Sequence, residues 1–285
     1  MTKRILLTGA AGFTGLRFTE AAQQAGYVVH PLIADLTDAK SVATEVAAVA
    51  PVFVVHLAAI SAVTHSDEEA FYRVNLFGTQ NLLKALCALP KAPERVLLVS
   101  SSNVYGNVLA SPIDESTCPV PVNHYAISKL AMENLAGMFS DHLPLVIVRP
   151  FNYTGAGHDM RFVIPKLVEH FVRQADTIEL GNLGVEREFN DVRTVCDAYL
   201  RLLQLGQPGQ VYNVCSGRPV SLTSVIDALQ HITGHNIQVK VNSAFVRTNE
   251  IQRLCGNPAK LEACIGSLLH PSLEETLRWM LTKNV

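Results

Sequence analysis

Tyr125 and Lys129 are the two residues of this sequence whose chemistry and spacing most directly suggest a reaction. They are four positions apart beside the stretch 128–139, whose pattern predicts a helix, so both side chains should lie on one face. A phenol titrates near pH ~10, and a nearby lysine cation favours its phenolate form. A tyrosine tuned in this way can exchange a proton with an alcohol or a ketone. The meaning of so short a motif depends on the elements that surround it.

Length and composition are those of a folded protein with a large core. The 285 residues are 48% hydrophobic and carry a formal net charge of −2, which argues against disorder and against a nucleic-acid surface. No apolar run is long enough to span a membrane, and the apolar segment 5–8 is too short for a signal peptide. The six cysteines show neither C-x-x-C spacing nor a metal pattern with histidine. We therefore expect no metal site and a reducing, cytoplasmic location.

The N-terminal segment predicts a dinucleotide site. An apolar strand, 5–8, is followed by Gly9, Gly12 and Gly15 and by a helical pattern that continues to Ala25. The glycines allow a tight turn, a close approach of the backbone to a pyrophosphate and close helix–strand packing, and the helix N-terminus offers its amides to phosphates. Because the motif directly follows the first strand, it favours dinucleotide binding over an ordinary glycine-rich turn.

The end of the second predicted strand, 27–30, concerns the choice between the two nicotinamide cofactors. Folds that prefer NAD usually carry an acidic residue there, whereas this chain has His30 and Pro31. Nothing at this position repels a 2′-phosphate, and Arg17 either attracts one or is a solvated helix residue. We therefore expect NADP(H), with NAD(H) as the alternative. Asp35 is expected to face the adenine rather than the ribose.

Two further apolar strands end in residues suited to a ligand site. The strand 51–59 ends in the small residues Ala58 and Ala59, and His56 within it is more typical of a core histidine than of a ligand. The strand 95–99 is followed by three serines, 100–102. Open α/β sheets bind ligands at the carboxyl ends of their strands. Serines at the end of a strand are usually turn formers. Because these serines precede the Tyr125–Lys129 motif, we predict that their hydroxyls donate to a reacting oxygen.

These motifs resemble those of the extended short-chain dehydrogenases/reductases, the NAD-dependent epimerase/dehydratase family. The segments TGAAGFTG, DLTD, HLAA, SSSNVYG, YAISK and RPFN occur in the family's order and spacing across the first 155 residues. The resemblance implies an α/β fold, with a Rossmann-type doubly wound parallel sheet and a smaller C-terminal α/β substrate-binding lobe. We predict a dinucleotide-binding domain from residues 1–155 plus 188–217. The nucleotide-sugar-binding lobe would comprise residues 156–187 plus 218–285.

The resemblance also implies roles for individual residues. Tyr125 would be the general acid/base, and Lys129 would hold the nicotinamide ribose and keep Tyr125 acidic. Ser101, in preference to Ser102, would polarise the sugar oxygen. The residues predicted to bind the cofactor are Gly9, Gly12, Phe13, Thr14, Gly15, Asp35, Leu36, Leu57, Ala58, Ala59, Asn75, Val99, Tyr125, Lys129, Pro150 and Asn152.

Within the family, the resemblance is closest to enzymes that handle GDP-linked 6-deoxyhexoses, the GDP-mannose dehydratases and the GDP-4-keto-6-deoxymannose reductases. It places Asn152 and Arg187 at the substrate diphosphate, Lys166 near the base, and Arg247 and Glu250 at phosphate and ribose. Guanidinium groups suit a diphosphate, and a carboxylate suits a ribose diol. The residues predicted to bind the substrate are Ser101, Ser102, Asn103, Asn152, Val163, Lys166, Arg187, Arg247, Glu250 and Arg253.

Asn103 separates the reaction types that this family performs. Sugar 4,6-dehydratases carry a glutamate at this position to remove a proton, and an amide cannot accept one at neutral pH. The chain is therefore predicted to reduce the 4-keto group of a GDP-4-keto-6-deoxyhexose. The product would be GDP-D-rhamnose or its C4 epimer, GDP-6-deoxytalose. The alternatives are an NAD-dependent nucleotide-sugar 4-epimerase and a dinucleotide sensor without catalytic activity.

Two departures from the family pattern keep the nucleotide open. Thr248 stands where the family has proline and Asn257 where it has aspartate, so GDP is favoured while UDP and dTDP remain alternatives. The resemblance further implies a homodimer formed through the helices 68–89 and 128–139. The apolar faces of these helices could instead only cover the sheet.

Overall fold

A six-stranded parallel sheet forms the centre of the fold. The structure is a computed structural model that describes residues 3–61, 66–245 and 251–283. The strands are β1 (Arg4–Thr8), β2 (Val28–Pro31), β3 (Phe53–His56), β4 (Arg95–Val99), β5 (Leu145–Pro150), β6 (Tyr153–Thr154), β7 (Thr177–Leu180), β8 (Glu186–Arg187), β9 (Asn190–Asp191), β10 (Val211–Val214), β11 (Val220–Ser221), β12 (Gln238–Val241) and β13 (Arg253–Leu254). The large sheet has the order β10-β5-β4-β3-β1-β2. This arrangement confirms the predicted Rossmann-type fold class.

Helices cover both faces of this sheet, as the nearly continuous apolar strands require. Along β1, Ile5 and Leu7 pack into the cluster on one face, while Leu6 packs into the cluster on the other. The helices are α1 (Phe13–Gln24), α2 (Ala39–Val49), α3 (Glu68–Phe71), α4 (Thr79–Cys87), α5 (His124–Gly137), α6 (Val163–Val172), α7 (Val192–Leu205), α8 (Leu222–Thr233), α9 (Ala259–Ile265) and α10 (Leu273–Lys283). The first face carries α1, α7 and α9, and the second carries α2, α4 and α5.

The predicted helix 68–89 is divided by a π-helical segment. Tyr72–Gly78 has π-helical hydrogen bonding and connects α3 to α4. Within it, Asn75 is buried, and its amide nitrogen donates to the Ile60 carbonyl (3.1 Å) and to Ser128 Oγ (3.0 Å). This side chain therefore ties the segment after β3 to the helix that carries Tyr125.

A separate hydrophobic cluster lies between α6, α8 and α10 and the parallel pair β7–β12. It gives the second half of the chain its own core, although the division into two domains stays a prediction. The helix α9 had no counterpart in the sequence prediction. Leu261 and Ile265 of α9 belong to the cluster of the large sheet, so residues 259–265 pack there rather than with α8 and α10.

None of the helices in the described part of the chain is long and apolar enough to cross a lipid bilayer. Nor do the described residues bring three or more His, Cys, Asp or Glu side chains together in a way that could hold a metal ion.

Candidate active site

A cavity of about 660 Å³ opens at the carboxyl ends of β1, β3, β4 and β5. Its wall is formed by the segments that follow these strands, by the start of α5 and by the first turn of α6. It therefore lies where an open α/β sheet binds its ligand. The predicted site residues that line it are Gly9, Gly12, Phe13, Thr14, Gly15, Leu57, Ala58, Ala59, Val99, Ser101, Ser102, Asn103, Tyr125, Lys129, Pro150, Asn152 and Val163.

The glycine loop between β1 and α1 is packed so closely that side chains would not fit. Gly9 has φ +69°, and a Cβ there would lie 2.7 Å from the backbone nitrogen of Ala58. A Cβ on Gly15 would lie 2.2 Å from the carbonyl oxygen of Gly9. The loop therefore presents bare backbone to the cavity at the start of a helix, which is the arrangement that a dinucleotide pyrophosphate requires.

The three predicted catalytic residues face this cavity together. Asn123 caps α5 by accepting a hydrogen bond from the Ala126 amide (2.9 Å), and Tyr125 and Lys129 follow on its first two turns. Both side chains are buried, with exposed fractions of 8% and 3%. The Ser101 hydroxyl, beyond the end of β4, lies close enough to the Tyr125 phenol to stabilise its charged form. A proton donor and a second hydroxyl thus meet beside the glycine loop.

The model of the NAD dependent epimerase/dehydratase family matches residues 5–215. The chain belongs to this family. It is 36% identical to GDP-6-deoxy-D-talose 4-dehydrogenase of Aggregatibacter actinomycetemcomitans over 93% of this chain and 92% of the relative. It is 35% identical to GDP-6-deoxy-D-mannose reductase of Pseudomonas aeruginosa over 99% of this chain and 97% of that relative. The structure of RMD from Pseudomonas aeruginosa complexed with NADPH matches with 33% identity and a TM-score of 0.90, over 99% of this chain and 97% of that chain.

Membership of the epimerase/dehydratase family identifies the chain as an NAD(P)-dependent oxidoreductase and confirms the resemblance inferred from its motifs. The described residues fit such a cofactor. The glycine loop leaves room for a pyrophosphate that side chains would fill. The residues after β3 and β4 line the same cavity beside Tyr125 and Lys129.

The pKa of Tyr125 differs from the expectation that Lys129 would lower it. Burial raises the pKa of the phenol, and the hydrogen bond from Ser101 offsets part of that rise. Burial also lowers the pKa of Lys129 to about 8, against an opposing effect of the Glu133 carboxylate. The Lys129 ammonium donates to the Val99 carbonyl (2.7 Å), so the predicted lowering of the Tyr125 pKa by Lys129 is not seen here. Tyr125 is protonated at neutral pH, which is the form that can protonate a ketone oxygen.

A buried ion pair fixes α5 to the large sheet. Glu133, one turn after Lys129, accepts from Arg149 Nε (3.0 Å) and Nη2 (2.6 Å) and from the Ser100 hydroxyl. Arg149 on β5 also donates to the Tyr105 phenol (3.0 Å). Because both charged side chains are about 7% exposed or less, the pair joins α5, β5 and the end of β4 in a site sheltered from water.

Three of the predicted cofactor residues lie away from the cavity lining. The Asp35 carboxylate accepts from the Thr37 amide and hydroxyl, both at 2.8 Å. Leu36 is buried in the core, and Asn75 holds the segment after β3, as described above. The prediction that Asp35 faces the adenine is not tested by these contacts.

His56 and Arg17, which lie outside the cavity lining, are both held by protein partners. His56 is fully buried and hydrogen-bonded to Thr8 Oγ1 (2.7 Å) and Thr79 Oγ1 (2.8 Å), which confirms a structural role. Arg17 donates to the Glu20 carboxylate and to the Ala156 carbonyl (3.0 Å). It is therefore held by protein partners in this structure, and its predicted attraction for a 2′-phosphate stays a prediction.

Three predicted substrate cations do not line the cavity. Lys166 donates to the Glu179 carbonyl (2.8 Å). Arg187 donates to the backbone carbonyls of residues 186, 251 and 252. Arg253 is paired with Glu186 and hydrogen-bonded to Ser111. Their predicted contacts with the substrate stay predictions. Arg247 and Glu250 lie outside the described residues.

The sequence interpretation missed the segment between β6 and α6, which lines the cavity with His158, Arg161 and Phe162. The ring of His158 lies between those of Phe13 and Phe162, with centroid distances of 4.4 Å to each. This segment carries no recognised motif. The signal that could have found it is its position just beyond β5, one of the strands that end at the site.

Proposed function

We propose that this chain reduces the 4-keto group of a GDP-4-keto-6-deoxyhexose with NAD(P)H. The observation that carries the proposal is the meeting of Ser101, Tyr125 and Lys129 in the cavity formed by the glycine loop. Support for the substrate class comes from two relatives, at 36% and 35% identity, whose names refer to GDP-6-deoxyhexoses. Both names describe oxidation or reduction of a GDP-linked 6-deoxy sugar.

In this proposal, the bound cofactor supplies a hydride to C4 of the sugar. Ser101 and Tyr125 both line the cavity and lie near each other, so a carbonyl oxygen that enters between them can accept from both hydroxyls. Tyr125 donates its proton as negative charge develops on that oxygen, and Ser101 stabilises the charge. Lys129 would turn its ammonium from the Val99 carbonyl to the ribose of the nicotinamide.

Asn103 supports reduction over elimination. Its side chain lines the cavity, and its backbone amide donates to Ser101 Oγ (3.1 Å), which fixes the orientation of that serine. An amide side chain at this position has no basic group with which to remove a proton from the sugar. The site therefore holds an acid for the ketone oxygen and has no base at position 103, where a dehydratase would carry its glutamate.

NADP(H) is the cofactor we propose, with NAD(H) as the alternative. His30 and Pro31 at the end of β2 place no carboxylate where it would repel a 2′-phosphate. The comparison of initial rates with NADPH and NADH tests this preference.

The test of the reaction generates GDP-4-keto-6-deoxymannose enzymatically in situ and adds this protein with NADPH or NADH. We expect consumption of the reduced cofactor and one 6-deoxyhexose product, whose C4 configuration NMR assigns as GDP-D-rhamnose or GDP-6-deoxytalose. Reduction of UDP or dTDP ketosugars alone would overturn the choice of GDP. Tightly bound NAD with no need for added reductant would indicate a 4-epimerase. Cofactor binding without turnover of any nucleotide sugar would indicate a sensor.

We further propose that the chain acts as a homodimer through the outer faces of α4 and α5 and the π-helical segment. Phe77, Ile127 and Met138 are exposed along these helices, with exposed fractions of 53%, 40% and 77%. Light scattering of the parent and of Phe77→Glu would test this arrangement, because a monomeric parent would exclude it. The cytoplasmic location stays a prediction from the sequence.

A further inference from the structure

The cavity offers few cationic groups to a charged substrate. A diphosphate brings negative charge into its site and needs cationic or multiple hydrogen-bonding partners there. Among the described residues that line the cavity, the basic side chains are Lys129, His158 and Arg161. Lys129 is buried and directed at the Val99 carbonyl. Burial lowers the pKa of His158 to about 4, so its ring is neutral at pH 7. Arg161 is the remaining cation.

Arg161 is already arranged as a bidentate anion binder. Its Nε lies 3.0 Å from both carboxylate oxygens of Asp159, and its Nη2 lies 2.7 Å from Oδ2. Its Nη1 has no hydrogen-bond partner among the residues that the structure describes. Because the side chains of this pair are 71% and 44% exposed, the ion pair contributes little to stability and can be exchanged for a stronger anion.

The segment that carries Arg161 is held against the cofactor loop. Its neighbour Phe162 stacks on His158, which in turn stacks on Phe13 of the glycine loop. The His158 Nδ1 lies 3.2 Å from Thr154 Oγ1. These contacts fix residues 157–162 at the border of the cavity, so the guanidinium of Arg161 lies beside the space that a nucleotide sugar would enter.

We propose that Arg161 binds the diphosphate of the nucleotide-sugar substrate and exchanges the Asp159 carboxylate for phosphate oxygens. This inference rests on the proposed function for its substrate class. It does not depend on the base, since every nucleoside diphosphate sugar carries the same diphosphate. Arg187, Arg253 and Lys166 do not line the cavity in this structure, and their side chains are directed at the partners described above.

The first test replaces Arg161 with Gln, which keeps a similar length and removes the charge. We expect the KM for the ketosugar to rise on the order of tenfold, as for a lost charge-assisted pair. The kcat and the KM for NADPH should stay within about twofold of the parent. Arg173→Gln is the matched control, because Arg173 forms an exposed ion pair with Glu169 at the far end of α6. An unchanged KM for the ketosugar in Arg161→Gln, or an equal rise for NADPH, would overturn the proposal.

The second test measures the binding of GDP and of guanosine by calorimetry. Arg161→Gln should weaken GDP and leave guanosine unchanged, because guanosine carries no phosphate. Equal weakening of both would overturn the proposal. Asp159→Asn removes the competing carboxylate, so GDP should bind equally well or more tightly. A loss as large as that of Arg161→Gln would show that the pair acts as a structural unit and would also overturn it. If the parent reduces no GDP ketosugar, the same comparison with UDP and dTDP tests Arg161 separately from the proposed function.

Discussion

At Tyr125, burial and hydrogen bonding act on the phenol in opposite directions. Burial raises its pKa, and the Ser101 hydroxyl lowers it by stabilising the charged form. The sequence pattern alone suggested that Lys129 would be the main influence. It does not reveal that a backbone carbonyl, that of Val99, lies within 2.7 Å of the lysine nitrogen. A helical spacing places two side chains on one face, and tertiary contacts decide where each one points.

Tyr125→Phe removes the proposed proton donor and retains the ring. We expect kcat to fall by about 10²-fold or more, while the affinity for NADPH, followed by fluorescence titration, changes little. Tyr199→Phe is the matched control, because Tyr199 is fully buried and its hydroxyl has no hydrogen-bond partner among the described residues. That control should retain parental activity. Parental activity in Tyr125→Phe would exclude it as the acid.

The buried side chain of Lys129 makes the stability of the folded protein depend on pH. Its pKa is about 8 in the folded protein, against an ordinary value of 10.5. Between these values the unfolded chain holds a proton that the folded chain has lost, so the free energy of unfolding rises with pH there. Below pH 8 Lys129 is charged in the folded protein, so the full free-energy cost of burying its ammonium group destabilises the fold.

Lys129→Met should therefore stabilise the protein below pH 8, by up to about 3 kcal/mol, while abolishing turnover. The advantage should shrink as the pH rises from 8 to 10.5. Urea denaturation of both proteins across this range measures the difference. Lys84→Met, at an exposed position of α4, is the control and should change stability little at any of these pH values. A constant difference between parent and Lys129→Met would contradict the assignment.

At the scale of elements, the strands and long helices were predictable because their apolar patterns have the right period. The strands β1, β2, β3 and β4 and the helices α1 and α5 lie within a few residues of the predicted positions. The two-residue strands were not predictable, because pairing partners far along the chain define them, as with Glu186–Arg187 and Arg253–Leu254. The helix α9 was missed, since its seven residues are too few to show a clear period.

The buried ion pair Glu133–Arg149 holds α5, and with it Tyr125, against β5. Glu133→Gln leaves the Arg149 guanidinium buried without its counter-charge, so we expect a loss of about 3–5 kcal/mol in the free energy of unfolding. Asp197→Asn, in the exposed pair with Arg201, should cost about 1 kcal/mol or less. Urea denaturation compares the two. Equal losses would show that the buried pair does not stabilise this region.

The site as a whole divides into a predictable part and an unpredictable one. The glycine loop, Ser101, Tyr125 and Lys129 come from local motifs, and the sheet topology brings their carboxyl-end positions together. The substrate cations come from segments whose directions depend on distant contacts. Arg187 binds backbone carbonyls near residue 251, while Arg161, in a segment without a motif, lines the cavity. No spacing in the sequence distinguishes these two arginines.

For the whole molecule, the cofactor should act as a stabilising ligand. A ligand at about 100 times its Kd adds about 2.7 kcal/mol to the free energy of unfolding, so NADPH should raise the Tm of the parent by several degrees. Gly15→Ala should reduce or abolish that increase, because its Cβ would lie 2.2 Å from the Gly9 carbonyl oxygen and must displace the loop that receives the pyrophosphate.

Gly137→Ala is the matched control for this last experiment. Gly137 is the final residue of α5, and a Cβ there would meet no atom within 4 Å. Alanine is the better helix former, so the control should match or slightly exceed the parental Tm and keep the full increase with NADPH. Thermal melts of the three proteins with and without NADPH separate loss of binding from loss of stability. A full NADPH increase in Gly15→Ala would place the cofactor away from the glycine loop. It would also remove the basis for orienting a nicotinamide toward Tyr125.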